Sequence, residues 1–504
     1  MGNFKKKDIR TAVDKLMDGF PYEIKEKQFD AVYNIVRGKD TLCVFPTGFG
    51  KSLIYQIIPN LAKELHLAAS PLVIVISPLV ALIKDQIYEA NQSPLNLKPC
   101  AAQEHQSEAL KQYNIIFGTP EIWLNHNSSA QKFLKSTFAK KNLMCLVVDE
   151  VHKVTWGEAS NNENAFRESF SRICELRSFC RPNLPVLAVS ATVNADLTNL
   201  IMSSCELSKN VKIISTCSDR PNIKLNIVNI KSQDNYGSLR WLINLETDFK
   251  VLIYCRSVTL SGKVYSALVS LFKDHTNSPD EIIKMFHAET SPSCKNVVQE
   301  SFQNENSVAR IFICTSALEC GVNMKNVRYV IHYGPSFDTT DYCQQIGRAG
   351  RNTDKQCHAI LYQYANSKRH ISQKMKDYMG MKSQLCLRSS LFSEFNENNK
   401  TIAPLEPKHN CCSNCSITCD CEECPTYDYE VKGDPKTTPQ EEIQLFRVVS
   451  TEQRQMVREL LEGYVESVSI GLCIPPAIAA GLTPEMISKI AKNLEKIDSK
   501  TFLV

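Results

Sequence analysis

The stretch Thr41–Gln56, TLCVF-PTGFGKS-LIYQ, reads as a short apolar strand, a glycine-bearing loop and the first turns of an apolar helix. That order is what a phosphate-wrapping loop requires, because a helix N-terminus presents unpaired backbone N–H groups to an anion. Gly48 and Gly50 let the backbone approach phosphate oxygens, Lys51 supplies a positive charge, and Ser52 offers a hydroxyl to Mg²⁺. Thr47 and Phe49 complete the loop. The strict GxxxxGK[ST] pattern would place a glycine at position 45, where Phe45 stands.

Two further segments fit the same nucleotide. Leu143–Val148 is an apolar strand ending in Asp149-Glu150-Val151-His152. At the carboxyl edge of a parallel sheet, Asp149 would hold Mg²⁺ and Glu150 would orient or deprotonate the attacking water. Almost two hundred residues later, Gln344–Arg351 reads QQIGRAGR. Arg348 and Arg351, three apart at the start of a predicted helix, offer fixed positive charge for a developing γ-phosphate. Gly347 and Gly350 between them would weaken a helix and so need a reason. Ser190-Ala191-Thr192 ends another predicted strand and is placed to relay the state of hydrolysis between domains.

Outward from these motifs, short apolar runs alternate with helical patterns. Thr41–Phe45, Leu72–Ile76, Leu143–Val148 and Val186–Val189 carry no polar alternation, as strands buried on both faces do. The pattern restarts after Asp219-Arg220-Pro221-Asn222 with Val251–Tyr254, Arg310–Cys314, Tyr329–His332 and Ala359–Tyr362. The expectation is an α/β chain: an extension over 1–19, a first parallel-sheet domain over 20–215, a second over 216–365, a helical cysteine-bearing subdomain over 366–430, and a helical segment over 431–504. In that last segment Met456, Val457, Leu460, Leu461, Tyr464 and Val468 fall on one predicted helix face, and Thr483-Pro484 is a predicted helix start.

Composition narrows the class without choosing a function. The 504 residues are 43% hydrophobic and 22% charged, with net charge +4, so a surface for nucleic acid must be local. The opening MGNFKKKDIR has no apolar core for a secretory signal, and the most apolar run, Leu67–Ile83, is cut by Ser-Pro pairs; no membrane partner is expected. A cytosolic or nuclear setting makes a disulfide framework improbable for the 21 cysteines. Seven of them crowd between Cys386 and Cys424, including the CxxC pair Cys412 and Cys415, a density that points to a metal, with a redox role as the alternative.

Taken together, these motifs resemble superfamily 2 helicases, and more narrowly the RecQ family of ATP-dependent DNA helicases, over about residues 20–425. The family's adenine-reading motif matches Lys25 and Gln28. Ser77-Pro78-Leu79 with Lys84-Asp85-Gln86, DEVH at 149–152, SAT at 190–192, Arg220-Pro221-Asn222, His287-Ala288, Thr315–Asn323 and QQIGRAGR follow in order. The resemblance implies two RecA-like domains in tandem. It implies Mg²⁺ with ATP held through Ser52 and Asp149, and Gln344 acting beside the arginines. Ser77, Trp156, Phe166, Arg167, Phe170 and Thr315 are the implied DNA contacts, with Trp156 to Phe170 as the aromatic loop that couples DNA to hydrolysis. Here Glu158 stands where the family has His, and Ala159–Ala165 is an insertion. One upstream and three clustered cysteines, Cys386, Cys412, Cys415 and Cys419, are the implied ligands of a structural Zn²⁺. Residues 431–504 are short for the family's winged helix. The implied function is 3′–5′ translocation on single-stranded DNA and unwinding of duplex or branched DNA in repair or recombination, in the nucleus. An RNA helicase and a DNA-binding scaffold with a degenerate motor are the alternatives.

Overall fold

The computed structural model describes residues 4–494 apart from 159–164, 166, 246–247, 288–289, 291, 305, 317–323, 325, 352–354, 394, 396–401, 423, 431–448, 470–481, 483 and 493. Seven strands form the first sheet: Thr41–Val44 (β1), Leu72–Ile76 (β2), Pro99–Ala101 (β3), Ile115–Gly118 (β4), Leu143–Val148 (β5), Val186–Ser190 (β6) and Lys212–Ser215 (β7). They lie in the order β3-β4-β2-β5-β6-β1-β7, and every pairing is parallel. The second sheet is built from Ile223–Asn229 (β8), Lys250–Cys255 (β9), Ile283–Phe286 (β10), Ile311–Cys314 (β11), Val327–Tyr333 (β12) and Cys357–Gln363 (β13). Its order is β10-β11-β9-β12-β13-β8, again all parallel.

The central strands are buried along their whole length because both faces are covered by helices, as their unbroken aliphatic sequence requires. In the first lobe one face packs Phe29, Ile54, Ile58 and Leu61, and the other Trp123, Phe133, Ile173 and Leu176. The helix Lys6–Leu16 contributes Ile9 and Val13 to the first of these cores, so the expected N-terminal extension is part of the lobe. Strand order in both sheets reverses beside β1 and β9, which sets the carboxyl ends of these strands at the crevice where ligands bind in open α/β sheets.

The link between lobes is anchored by Arg388, from the helix Leu387–Ser393. Its side chain is 0% exposed and pairs with Asp219, while also donating to the carbonyls of Arg220, Ile223 and Cys411. One guanidinium thereby ties the linker, the first strand of the second lobe and the cysteine-bearing segment together. Beyond it, the helices Thr451–Ser469 and Pro484–Lys492 pack on each other, Arg454 donating to the carbonyls of Ala491 and Lys492 at 2.8 and 2.7 Å. The apolar face expected of the first helix splits: Val457 and Leu461 are half-buried, but Met456, Leu460 and Tyr464 are more than half exposed. Its stripe is wider than the one short helix lying on it. Thr483 lies outside the described residues.

Replacing Arg388 by Ala leaves Asp219 buried without its counter-ion, which should cost about 3–5 kcal/mol. Urea unfolding of the full chain should show the transition containing the second lobe at a lower midpoint. A loss under about 1 kcal/mol would contradict the anchoring role.

Candidate nucleotide and nucleic-acid site

The phosphate loop leaves the end of β1, and the helix Lys51–Gln56 begins directly behind it. Gly48 and Gly50 take φ of +84° and +87°, the left-handed region that side chains resist. At Gly50 a Cβ would also stand 2.6 Å from the Gln28 amide. Gln28 explains that crowding. Its Nε2 donates to the carbonyls of Phe49 and Gly50, both at 2.9 Å, and its Oε1 accepts from the Lys25 N–H at 2.8 Å. In this arrangement the Nε2 end of the amide clamps the loop while the Oε1 end anchors it to the start of its own helix. Phe49, bulky for its position, packs on Phe45 with ring centroids 4.6 Å apart, and the Lys25 ammonium sits 4.1 Å from its ring. The aromatic pair and the cation together stiffen the loop.

Facing the loop, β5 delivers the two carboxylates. Glu150 adopts φ +47°, a strained backbone for a non-glycine residue and one that functional sites concentrate. Asp149 accepts from the Glu150 N–H at 2.9 Å and from Gln86 Nε2. Burial, with the Glu150 charge beside it, raises the Asp149 carboxyl to about 7. The Lys51 ammonium lies 3.9 Å from Glu150 Oε1 and donates to the Phe45 carbonyl at 3.4 Å. A hydroxyl at Ser52 and a carboxylate at Asp149, destabilised as an anion, are hard oxygen donors that fit Mg²⁺.

Beside Glu150, a hydrogen-bonded path runs from His152 to the second lobe. Glu150 Oε2 lies 3.4 Å from His152 Nδ1, which lies 3.1 Å from Ser190 Oγ. Burial, with Lys153 and Lys51 nearby, pushes His152 well below its ordinary value, so the ring is neutral. Ser190 spends its proton on the Thr192 carbonyl at 3.0 Å, which leaves His152 Nδ1–H as the donor to Ser190. Thr192 Oγ1 then accepts from Gln344 Nε2 of the second lobe at 3.0 Å. Lys153 to Asp341 at 3.9 Å and Lys374 to Asp196 at 3.3 Å also bridge the lobes.

Arg348 and Arg351 do not open a helix, as their spacing suggested. The helix Thr339–Ile346 ends before them, and they occupy the turn that follows. Gly350, at φ +61°, accounts for the change: its N–H bonds to the Val327 carbonyl, and a Cβ there would stand 2.5 Å from Asn222. Arg220 grips this turn by donating to the carbonyls of Gly347, Ala349 and Gly350 at 2.7, 3.0 and 2.9 Å, with Asn222 adding 3.1 Å to Gly350. Burial and the charges of Arg348 and Arg220 disfavour the Arg351 cation. Glu89 feels the opposite charge of Arg351, and Tyr55, on the phosphate-loop helix, feels Asp149, Glu89 and Glu150. Arg351 of the second lobe and Glu89 of the first-lobe helix Val80–Asn91 are thus near enough to influence one another. Crowded cations of this kind are relieved by an anion.

The residues expected to meet nucleic acid divide. Trp156 packs edge-on against buried Phe170 at 5.5 Å, with Arg167 over both rings. Arg167 itself is occupied: it clasps Glu121 at 2.8 and 2.5 Å and donates to the Pro78 carbonyl. Burial works against the Glu121 anion, yet Arg167 and Ser169 hold its carboxyl at about 2. The aromatic loop is thus latched to the segment after β2, and Glu121 is a partner that no sequence motif announced. Ser77 is fully buried, as is Thr315 nearly, so neither hydroxyl faces solvent. Phe166, Ala288 and residues 317–323 lie outside the described residues.

Of the expected zinc ligands, Cys386, Cys412 and Cys415 converge, but the fourth member is Cys411, and the four sulfurs lie within 4.8 Å of one another. Cys411 is turned inward because its carbonyl accepts from Leu225 N–H at 3.3 Å, docking that residue against β8. Cys419 follows the helix Ser413–Ile417, whose turn carries its thiol away to a separate group. Four soft thiolates in one place fit Zn²⁺.

Comparison with known proteins agrees with this geometry. Residues 25–200 match the DEAD/DEAH box helicase family, and residues 234–353 match the helicase conserved C-terminal domain. The chain is 28% identical over 424 residues to the mouse bifunctional 3'-5' exonuclease/ATP-dependent helicase WRN, covering 78% of this chain and 28% of that protein. It is 28% identical over 435 residues to the ATP-dependent DNA helicase RecQ of Pasteurella multocida, covering 82% and 62%. A mimivirus protein whose assigned name is that of an RNA helicase is 26% identical over 431 residues, covering 80% and 71%. The chain therefore spans less than two thirds of the length of the first two. Among solved structures, the DUF1998 helicase MrfA bound to DNA shares the fold at TM-score 0.55 and 18% identity, over 72% of this chain and 52% of that one. With two parallel-sheet lobes, their helicase motifs and the relatives above in agreement, the chain carries the DEAD/DEAH box and C-terminal domains of a helicase and is similar to the RecQ-family helicases.

Proposed function

We propose that this chain is an ATP-driven motor that translocates 3′–5′ on single-stranded DNA and unwinds duplex or branched DNA. The observation that carries the reading is the hydrogen-bonded path His152–Ser190–Thr192–Gln344, which reaches the opposite lobe from an imidazole 3.4 Å from the Glu150 carboxylate. A simple nucleotide-binding protein has no use for such a link. A motor needs one, because its step is a change in lobe position conditioned on the phosphate.

In this reading the glycine loop and Lys51 hold the β- and γ-phosphates, and Gln28 keeps the loop open to them. Mg²⁺ bound by Ser52 and Asp149 supplies neutralising charge at the same phosphates. Glu150 orients the attacking water and accepts its proton, with the His152 ring 3.4 Å from its Oε2. Arg351 balances the charge that develops as the γ-phosphate leaves, and Arg220 keeps the turn that carries it in place. Cleavage changes what Glu150 pulls on, and the histidine–serine–threonine chain passes that change to Gln344. On the nucleic-acid side, Trp156 offers a face on which a base can stack, for roughly 1–3 kcal/mol. Arg167 and Glu121 connect that face to the first lobe's phosphate edge. The mimivirus relative's name supports RNA as a second track. Work in repair or recombination and residence in the nucleus extend the same reading.

Phosphate release with single-stranded DNA and RNA of equal length discriminates the tracks: DNA should stimulate more, and equal or greater stimulation by RNA would transfer the function to RNA. Lys51→Ala should abolish turnover with an unchanged melting profile, and Arg351→Ala should lower it by about 10³–10⁵-fold with ATP still bound. Persistent DNA-stimulated turnover in Lys51→Ala would refute the site. A double-mutant cycle tests the relay. Thr192→Val and Gln344→Ala should each cut DNA stimulation by about tenfold, and the pair together should be no worse than either alone. Additive losses would mean that the two side chains act separately.

A further inference from the structure

The cysteine-rich segment holds two groups of possible metal ligands, and the first accounts for only four of its seven cysteines. The remaining three, Cys419, Cys421 and Cys424, surround the ring of His409. His409 Nδ1 lies 3.0 Å from the Cys421 sulfur, 3.5 Å from Cys419 and 3.6 Å from Cys424. Cys421 lies 3.5 Å from Cys419 and 3.1 Å from Cys424. Zinc bonded tetrahedrally at about 2.3 Å to sulfur and about 2.0 Å to nitrogen spaces its ligand atoms by about 3.5–3.8 Å. The four atoms are therefore already close to that figure, with one nitrogen and three sulfurs.

Packing does not account for the group, because Cys421 and Cys424 are exposed, unlike the buried single cysteines of the two lobes. A Cys421–Cys424 disulfide would leave Cys419 over and would give the inward-turned imidazole no role. Instead, eight ligands divide into two fours with none shared and none left, Cys₄ in the first and Cys₃His in the second. Both are compositions of closed structural zinc sites.

We propose that His409, Cys419, Cys421 and Cys424 bind a second structural zinc ion, separate from that of Cys386, Cys411, Cys412 and Cys415. The second site closes a loop from His409, before the helix Ser413–Ile417, to the segment after it. Its place in the chain gives it a purpose. Three residues beyond Cys424, Tyr427 meets His358 of β13 at 4.6 Å between ring centroids, and Tyr429 donates to or accepts from His358 Nδ1 at 2.9 Å while lying 5.6 Å from Trp241. The second ion pins the outgoing chain so that these tyrosines return to the second lobe. Such a site is independent of the track on which the motor runs.

The full-length chain, purified in reductant and desalted, should contain two zinc ions per molecule by elemental analysis and native mass spectrometry. The double variant Cys421→Ser, Cys424→Ser should contain one. In the wild type, Cys419, Cys421 and Cys424 should resist iodoacetamide until a chelator is added, whereas exposed Cys217 should react at once; this measurement needs no folded variant. One zinc or none with rapid alkylation of the three thiols would overturn the proposal. So would two zinc ions retained in the double variant, or a Cys421–Cys424 disulfide found by peptide mapping alongside a single zinc.

Discussion

A 3.0 Å hydrogen bond from Gln344 to Thr192 joins the two lobes of this chain beside the candidate nucleotide site. On its first-lobe side the Thr192 carbonyl accepts from the Ser190 hydroxyl, Ser190 meets an uncharged imidazole, and the Glu150 carboxylate lies 3.4 Å from that ring. Directionality matters here. Because Ser190 has committed its proton to the Thr192 carbonyl, His152 donates to it from Nδ1, and that N–H is fixed beside the Glu150 carboxylate. The burial that keeps His152 uncharged is thus part of the coupling. A protonated ring would hold Glu150 as an ion pair and blunt its response to the nucleotide.

The second constraint is electrostatic. Arg220, Arg348 and Arg351 are brought close in the second lobe, and the arrangement survives because Arg220 is spent on three backbone carbonyls of the very turn that bears the others. Across the crevice, Asp149 and Glu150 repel one another and raise the Asp149 carboxyl. Each wall of the site is under like-charge strain, and the two strains are of opposite sign. A metal-bound polyphosphate placed between them relieves both, which is a physical reason for the lobes to close on nucleotide and to part when it is cleaved.

The sequence made much of this legible because buried parallel strands are written without polar alternation. β1, β2, β5 and β6 and four strands of the second sheet appear within two residues of their expected positions. The strands not foreseen had reasons to hide. β7 is an edge with exposed and half-exposed residues, and β8 carries Lys224 and Asn226, polar side chains buried by partners far away in sequence. Local glycines showed that the arginine turn was special but not that the helix ends before it, since Asn222 and Arg220 impose that ending from over a hundred residues away. The same holds for Glu121 and Arg388, whose partners lie 46 and 169 residues distant. For the cysteines, their crowding pointed to a metal and the family resemblance named three of the four that converge; whether Cys411 or Cys419 completes the group depends on how β8 and one short helix turn their thiols.

These features converge on one claim, that lobes built from distant parts of the chain clasp a single nucleotide. The most direct measurement is a crystal structure of the protein with Mg²⁺ and a non-hydrolysable ATP analogue. The account predicts Lys51 and Arg351 on the same γ-phosphate, with Gln344 still bonded to Thr192. Phosphates held by the first lobe alone, with Arg351 turned out of the crevice, would contradict it.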